Sequence, residues 1–411
     1  MLRLTLLIFV LAGAQAATPF VPAGPVADPD AAPTIKELLS RLNLDRYKAT
    51  IKGLTQFGDR REGTERNRRA LEWIETQLTS YGCTNTERHR YELPPPNPGR
   101  GRGGQAGRAN GPERAPAGTP EDPIRRGAGG KGFGAITGNT NDPEHQRDVT
   151  LRELNRGPVQ PGPREQVYCT KVGATIPSEM FIVSAHMDGV GYGEAANDNG
   201  SGTALVMELA RIFSAPDVRT ERSIRFILFN SEELGEPGSR AYVADRRPLQ
   251  GKEDPVGSGR YPEPRWVGVI QHDMLMFDHG MPAPDGQVSP WQRPEADINI
   301  EFQVNSTRLA DSQKLAWFFK DINFLYATDY PANVGQRMQN TDSVSFMNDA
   351  PAISLRENER RDVIGVGWSP HWHRATDMFT TYSDKDFRLG LNAAQTTLAG
   401  VAQLAGTRLS K

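Results

Sequence analysis

Cysteine is scarce: Cys83 and Cys169 are the only two in 411 residues. That excludes a disulfide-dense scaffold, and it excludes a zinc site built from thiolates. The pair is compatible with one disulfide or with two buried thiols. Any metal must therefore be held by carboxylates and by some of the seven histidines. An excess of one charge sign is also missing, since 48 Lys and Arg face 50 Asp and Glu, a formal net charge of -2. No global field draws such a chain to nucleic acid or to an anionic membrane. Past the N-terminus no apolar run approaches the ~20 residues of a membrane-spanning helix, so no stable membrane anchor is expected.

What is present is unevenly placed. Arg3 precedes the apolar run 4–12, and Ala14-Gln15-Ala16 follows as a small-x-small cleavage site, so residues 1–16 read as a signal peptide. The protein is expected to be exported, to the periplasm or the medium. Residues 17–33, rich in proline, alanine and aspartate, read as a flexible lead. Between 94 and 134 come Pro94-Pro95-Pro96, Arg100-Gly101-Arg102-Gly103-Gly104 and a glycine-rich stretch, with almost no apolar side chains. Such a segment cannot offset its ordering entropy by burial, and we read it as a surface insertion in one domain spanning 34–411. An Arg/Gly tract can bind RNA, but in an exported chain no nucleic-acid partner is expected. Nothing in the sequence decides an oligomeric state.

Apolar residues recur at helical spacing over 35–42 and over 66–78, where Ala70, Leu71, Ile74 and Leu78 share a face and Gly82 supplies the stop. Met180-Phe181-Ile182-Val183-Ser184-Ala185, residues 224–230 and residues 266–270 read as strands buried on both faces. A helix over 203–213 separates the first two. Later come a strand over 298–304, a helix over 308–322, a short strand over 352–355 and a closing helix over 386–404. The alternation implies an α/β fold: a single mixed, largely parallel sheet with helices on both faces. Folds of this kind carry their sites at the carboxyl ends of the strands.

Acidic residues and histidines sit at those ends. His186-Met187-Asp188 follows the first strand directly, and Asn197-Asp198-Asn199-Gly200-Ser201-Gly202 opens the next helix. Taken alone, the first is a structural histidine and the second a capped helix start. Glu232-Glu233 follows the strand over 224–230, and two adjacent carboxylates at a buried strand end need compensation for repulsion and desolvation. A divalent cation is the simplest compensation. Asp273 follows the third strand, and His373 precedes the closing helix. Two histidines and these carboxylates suit two zinc ions with nitrogen and oxygen ligands. The chemistry of such a pair needs one bridging carboxylate, and one further carboxylate off the metals as general base.

In their order these motifs resemble the co-catalytic two-zinc exopeptidases, the family of bacterial leucyl aminopeptidase, aminopeptidase Y and glutamate carboxypeptidase II. The resemblance rests on Ser184-Ala185-His186-Met187-Asp188, Asn197-Asp198-Asn199-Gly200-Ser201-Gly202 and Asn230-Ser231-Glu232-Glu233-Leu234-Gly235. Asp273-Met274, Thr341-Asp342 with Phe346, and His373 with Asp377 continue it, and Phe57-Gly58-Asp59-Arg60-Arg61-Glu62-Gly63-Thr64 resembles the family's N-terminal motif. The resemblance implies the zinc exopeptidase fold and peptide substrates. It implies that His186 and Asp273 hold one zinc, Glu233 and His373 the other, and that Asp198 bridges them. Glu232 takes the place of the general base, and Asp188 that of a carboxylate orienting His186 through its second ring nitrogen. It also implies a cis peptide bond between Asp198 and Asn199.

Some positions depart from the family. His272 precedes Asp273 and reads as a residue beside the site or lining the pocket, and His371 competes with His373 for the ligand role. Ser343 stands where relatives often carry histidine. The leading function is an aminopeptidase; a glutaminyl cyclase, a carboxypeptidase and a metal-free binding module on the same fold are the alternatives. Specificity is expected to reside in the loops 280–297 and 356–370. Arg356, Arg360 and Arg361 there read first as surface residues and only second as a selector of acidic substrates.

Overall fold

A computed structural model describes residues 28–83, 85–93, 142–277, 298–335, 341–357, 369 and 371–410. The stretches read as a signal peptide and an insertion, most of that read as a lead, and most of both loops expected to carry specificity lie outside the described residues.

Helix α1 (Ala32–Ser40) carries Pro33, whose fixed φ suits a first turn, as its second residue, and so begins inside the stretch read as a lead. Helix α2 (Leu44–Thr55) is capped by Asn43 and α3 (Glu65–Ser80) by Thr64, each side chain accepting from a first-turn amide. Gly82, at φ 93, ends α3 as its position suggests. Strands β1 (Glu87–Tyr91), β2 (Arg164–Lys171) and β3 (Ile176–His186) follow, with helix α4 (Val149–Asn155) between the first two. Then come α5 (Gly200–Phe213), β4 (Val218–Arg219), β5 (Arg222–Phe229), α6 (Pro237–Arg246) and β6 (Arg265–Asp273). The chain finishes through β7 (Ile298–Glu301), α7 (Leu309–Tyr326), β8 (Ala332–Gly335), β9 (Ala352–Glu357), α8 (Asp384–Leu404) and β10 (Arg408–Leu409).

Eight strands form one sheet in the order β1-β2-β5-β3-β6-β9-β7-β8. Its centre, β5-β3-β6-β9, is parallel, while β1 and β2 pair antiparallel at one side and β7 pairs antiparallel with β9. The expected mixed, largely parallel sheet is the observed one. Period-2 alternation divides its apolar side chains between two cores. Phe181, Val183 and Ala185 of β3 face the larger core, packed against α1, α2, α3, α5, α7 and α8. Met180 and Ile182 face the smaller one, where Tyr242, Trp266 and Phe346 cluster. A strand buried on both faces carries no polar alternation, which is why β3 reads as one apolar run. Cys83 and Cys169 form a disulfide with a Cα separation of 5.9 Å, joining the end of α3 to β2. Among the described residues no helix is long and apolar enough to cross a membrane.

His272 belongs to this packing and not to the pocket. Alternation along β6 turns it away from Asp273 into the larger core. There its Nδ1–H donates to the Ser184 carbonyl at 3.0 Å and its Nε2 accepts from the Thr397 hydroxyl of α8 at 2.8 Å. Burial pushes its pKa down to about 4, so the fold selects the neutral ring. The unfolded chain takes up this proton near pH 6.5 and the folded chain only near 4, so stability falls as pH falls through that window. The loss amounts to about 3 kcal/mol for this group alone. Urea midpoints measured from pH 7.5 to 4 should therefore drop in the natural protein and drop less steeply in His272→Gln. Parallel curves would contradict this assignment.

Candidate metal centre

The parallel centre of the sheet decides where the polar residues meet. β3 ends at His186 and β6 ends at Asp273. The register pairs Ala185 with His272 and Asp273 with Arg356, so His186, Asp273 and Arg356 form one row across three strands. His186 also stands beside Phe229, the last residue of β5. Two residues later Ser231 turns left-handed at φ 67, and Glu232 and Glu233 enter a single 3-10 turn over the same edge. Among the described residues the other non-glycine positions with positive φ are Arg60, Tyr192, Ala195, Glu236, Met274 and His373. All flank the site, where strained backbone is held by its surroundings.

Two donor sets converge. In the first, His186 Nε2 lies 3.3 Å from Asp273 Oδ1 and 4.0 Å from Glu232 Oε2. In the second, His373 Nε2 lies 2.8 Å from Glu233 Oε2. Asp198 belongs to both: its Oδ1 is 3.5 Å from His186 Nε2 and its Oδ2 is 3.1 Å from His373 Nε2. The sets His186-Asp198-Glu233 and His186-Glu232-Asp273 each bring their ligand atoms within 4.8 Å of one another. His371 does not join them; its Nδ1 faces Thr376 Oγ1 at 3.0 Å and its ring packs on Phe277 and Tyr382. Trp372 stacks on the His373 ring at 4.0 Å between centroids.

Backbone amides and buried side chains hold this arrangement. Asp188 accepts from the Glu232 amide at 3.1 Å and from the Glu233 amide at 3.3 Å. Its carbonyl oxygen, 3.1 Å from His186 Nδ1, is nearer to that ring than its carboxylate, at 3.7 Å. Asp188 thus steers the paired glutamates with its side chain and the histidine with its backbone. Asp377 accepts from the amides of Asn197 and Asp198 at 2.8 and 3.0 Å and from the Tyr382 hydroxyl at 2.9 Å. The Asp198–Asn199 peptide is cis, and the Asn199 side chain caps α5 at Gly202 and donates to the His272 carbonyl. That side chain is wholly buried, so Asn199-Gly200-Ser201, although it has the Asn-x-Ser form of an N-glycosylation acceptor, offers no accessible amide for a glycan. Arg60 is also wholly buried and donates to the carbonyls of Met187, Glu194 and Ala195, each at 2.8 Å. This explains the N-terminal motif chemically: one guanidinium gathers the loop between His186 and Asp198.

Burial dominates the electrostatics. It raises Glu233 to about 7 against the pull of His373, and it raises Asp377 to about 6. Glu232 is raised through burial, with Glu233 adding to it. Burial would lower His373, but Glu233 and Asp198 outweigh it and hold the ring at about 10. Asp273 departs from the pattern: Arg356, 3.4 Å away, overcomes burial and keeps it at about 2. Arg356 is therefore a buried partner of a candidate ligand and not the surface residue its sequence position suggested. Glu233 Oε1 is buried without a hydrogen-bond partner. A carboxylate oxygen so placed beside histidine and aspartate fits a divalent cation, and the nitrogen and oxygen donors fit zinc.

Sequence reasoning missed Asp377 as the support of Asp198, the Arg356–Asp273 pair and the burial of Arg60, because each depends on contacts far apart in the chain. A separate constraint joins the loop after His186 to the loop of His373. At Gly191, φ 101, a methyl group would sit 2.6 Å from the Arg374 amide nitrogen, and at Gly193 one would sit 2.7 Å from the Arg374 carbonyl oxygen. Gly191→Ala should push the His373 loop outward and weaken metal retention about tenfold or more, with the fold intact by circular dichroism. Equal metal content after dialysis against graded chelator would show that the loop tolerates the methyl.

Comparison with known proteins agrees with the fold. Aminopeptidase YwaD of Bacillus subtilis is 46% identical over 65 residues, which is 16% of this chain and 14% of that protein. The chain therefore spans far less than two thirds of the length of this curated relative. The aminopeptidase LapA of Legionella pneumophila superimposes with a TM-score of 0.57 at 15% identity, covering 99% of this chain and 81% of that one. A glutaminyl cyclase of Porphyromonas gingivalis does so with a TM-score of 0.51 at 14% identity, covering 88% and 98%. At such identities these two likenesses concern the fold alone. The model of peptidase family M28 matches residues 167–395, a stretch that holds His186, Asp198, Glu232, Glu233, Asp273 and His373, and the chain belongs to that family.

Proposed function

We propose that this protein is an exported two-zinc aminopeptidase that removes N-terminal residues from peptides. The observation that carries the two-metal reading is Asp198, whose two carboxylate oxygens each face a different histidine, His186 and His373. In this reading His186 and Asp273 would hold one zinc, Glu233 and His373 would hold the other, and Asp198 would be shared between them. Zinc so held would supply Lewis acidity toward a peptide carbonyl and would lower the pKa of water.

The remaining work falls to the chain. Glu232 is adjacent to a ligand without being required as one, and the Asp188 carboxylate fixes its amide. Burial raises its proton affinity, which suits a group that must take a proton from the attacking water and return it to the leaving amine. Asp188 and Asp377 keep the glutamate pair and the bridging aspartate in place, so neither has to reorganise during the reaction. Arg356 keeps Asp273 ionised and hence able to act as a ligand. Export rests on the signal-peptide pattern over 1–16.

Likeness to a glutaminyl cyclase in fold makes cyclisation of N-terminal glutamine the second chemistry to test. Free peptides, carboxy-blocked peptides, amino-blocked peptides and N-terminal glutaminyl peptides should be assayed with and without a chelator. Release only from free amino termini, abolished by the chelator and restored by zinc, is the expected result. Release from free carboxyl termini, or formation of a pyroglutamyl product, would reassign the reaction. Glu232→Gln should lower kcat at least about a hundredfold while two zinc ions per chain remain bound. Full turnover in that variant would remove Glu232 from the mechanism.

A further inference from the structure

The stretch 142–157 lies outside the family's matched residues, yet it reaches the loops that carry the candidate ligands. A one-turn helix, Pro143–His145, is capped by Asp142, and α4 is capped by Asp148. Between the two caps sits Gln146, 3% exposed. Its Oε1 accepts from the Asp148 amide at 3.0 Å, which fixes the orientation of the side-chain amide. Its Nε2 then donates one proton to the Tyr192 carbonyl at 2.9 Å and the other to the Ala375 carbonyl at 3.1 Å.

Those two carbonyls belong to different halves of the centre. Tyr192 lies in the loop between His186 and Asp198, and Ala375 lies two residues past His373. The same segment grips the first loop again at Asn155, whose side chain donates to the Gly193 carbonyl at 2.8 Å and accepts from the Asp59 amide at 3.0 Å. Asp59 in turn accepts from the Tyr192 amide at 3.3 Å and pairs with the buried Arg66. The first loop is thus held from several sides. The grip of this segment on the His373 loop is the second Nε2 hydrogen bond of Gln146.

We propose that Gln146 is a positioning residue that, together with Asp377 and the close Gly191–Gly193 approach, sets the distance of the His373–Glu233 half of the centre from the His186–Asp273 half. A primary amide suits the task because it offers two donors on one planar nitrogen, one for each carbonyl. Glutamate at this place would aim an acceptor at two acceptors, and methionine would fill the space without donating. The inference rests on the two-zinc reading above.

Stepwise zinc titration of the metal-free protein, followed by calorimetry, tests it in the natural protein, Q146M and Q146E. The expected result is two binding steps in the natural protein, with one weakened about ten- to a hundredfold in both variants and the other within about twofold. Of the kinetic constants, kcat should fall and KM hold. A natural protein that takes up one zinc would sink the two-zinc reading itself. Two steps unchanged in the variants, or both steps weakened equally, would overturn the role of Gln146. Loss of the folded state in both variants would also overturn it, by making Gln146 a requirement of the fold.

Discussion

Five carboxylates, Asp188, Asp198, Glu232, Glu233 and Asp273, are packed into one buried edge of the sheet, and the surrounding structure is arranged around the repulsion among them. Each would cost several kcal/mol if it were desolvated and left uncompensated. The compensation is divided. Asp188 is satisfied by two backbone amides, Asp273 by Arg356, and Asp198 lies between two histidines. Glu233 retains one buried oxygen without a partner. The unsatisfied remainder is what bound cations would neutralise, so the residues proposed to hold metal are also the residues whose burial calls for it.

Position follows from how the chain enters and leaves this edge. Parallel strands deliver His186 and Asp273 in register, so their mutual distance is set by sheet geometry. Asp198 and His373 arrive on loops, which have no such ladder. Their place is set by Asp377, which binds the amides of Asn197 and Asp198, and by the close approach of the Gly191–Gly193 backbone to residues 373–377. Arg60 adds three carbonyls of the same loop to its hydrogen bonds. The left-handed residues gather in these segments because a tight path between ligands leaves few ordinary backbone conformations.

Much of this was legible in the chain itself. The apolar run of β3 and the acidic or histidine residue after each central strand are local features. Local features survive in a one-dimensional reading, because strand periodicity and strand-end position do not need the rest of the fold. The antiparallel edge strand β1 was not legible: Glu87–Tyr91 is polar at alternate positions and takes its identity from pairing with β2. Nor was the choice between a disulfide and two thiols for Cys83 and Cys169, which are 86 positions apart in the chain and 5.9 Å apart at their Cα atoms.

His272 and Arg356 mark the boundary most clearly. Sequence alone determined that histidines and carboxylates would cluster at the carboxyl ends of buried strands, because motif order and strand periodicity are written locally. It placed His272 beside the pocket and Arg356 on the surface. Only the tertiary structure decided that His272 ties the sheet to α8 and that Arg356 stands against Asp273. Which face a strand residue takes, and what waits for it there, depends on helices and strands packed from elsewhere in the chain. That packing is non-local, and it turned a list of candidate ligands into two facing halves joined by Asp198.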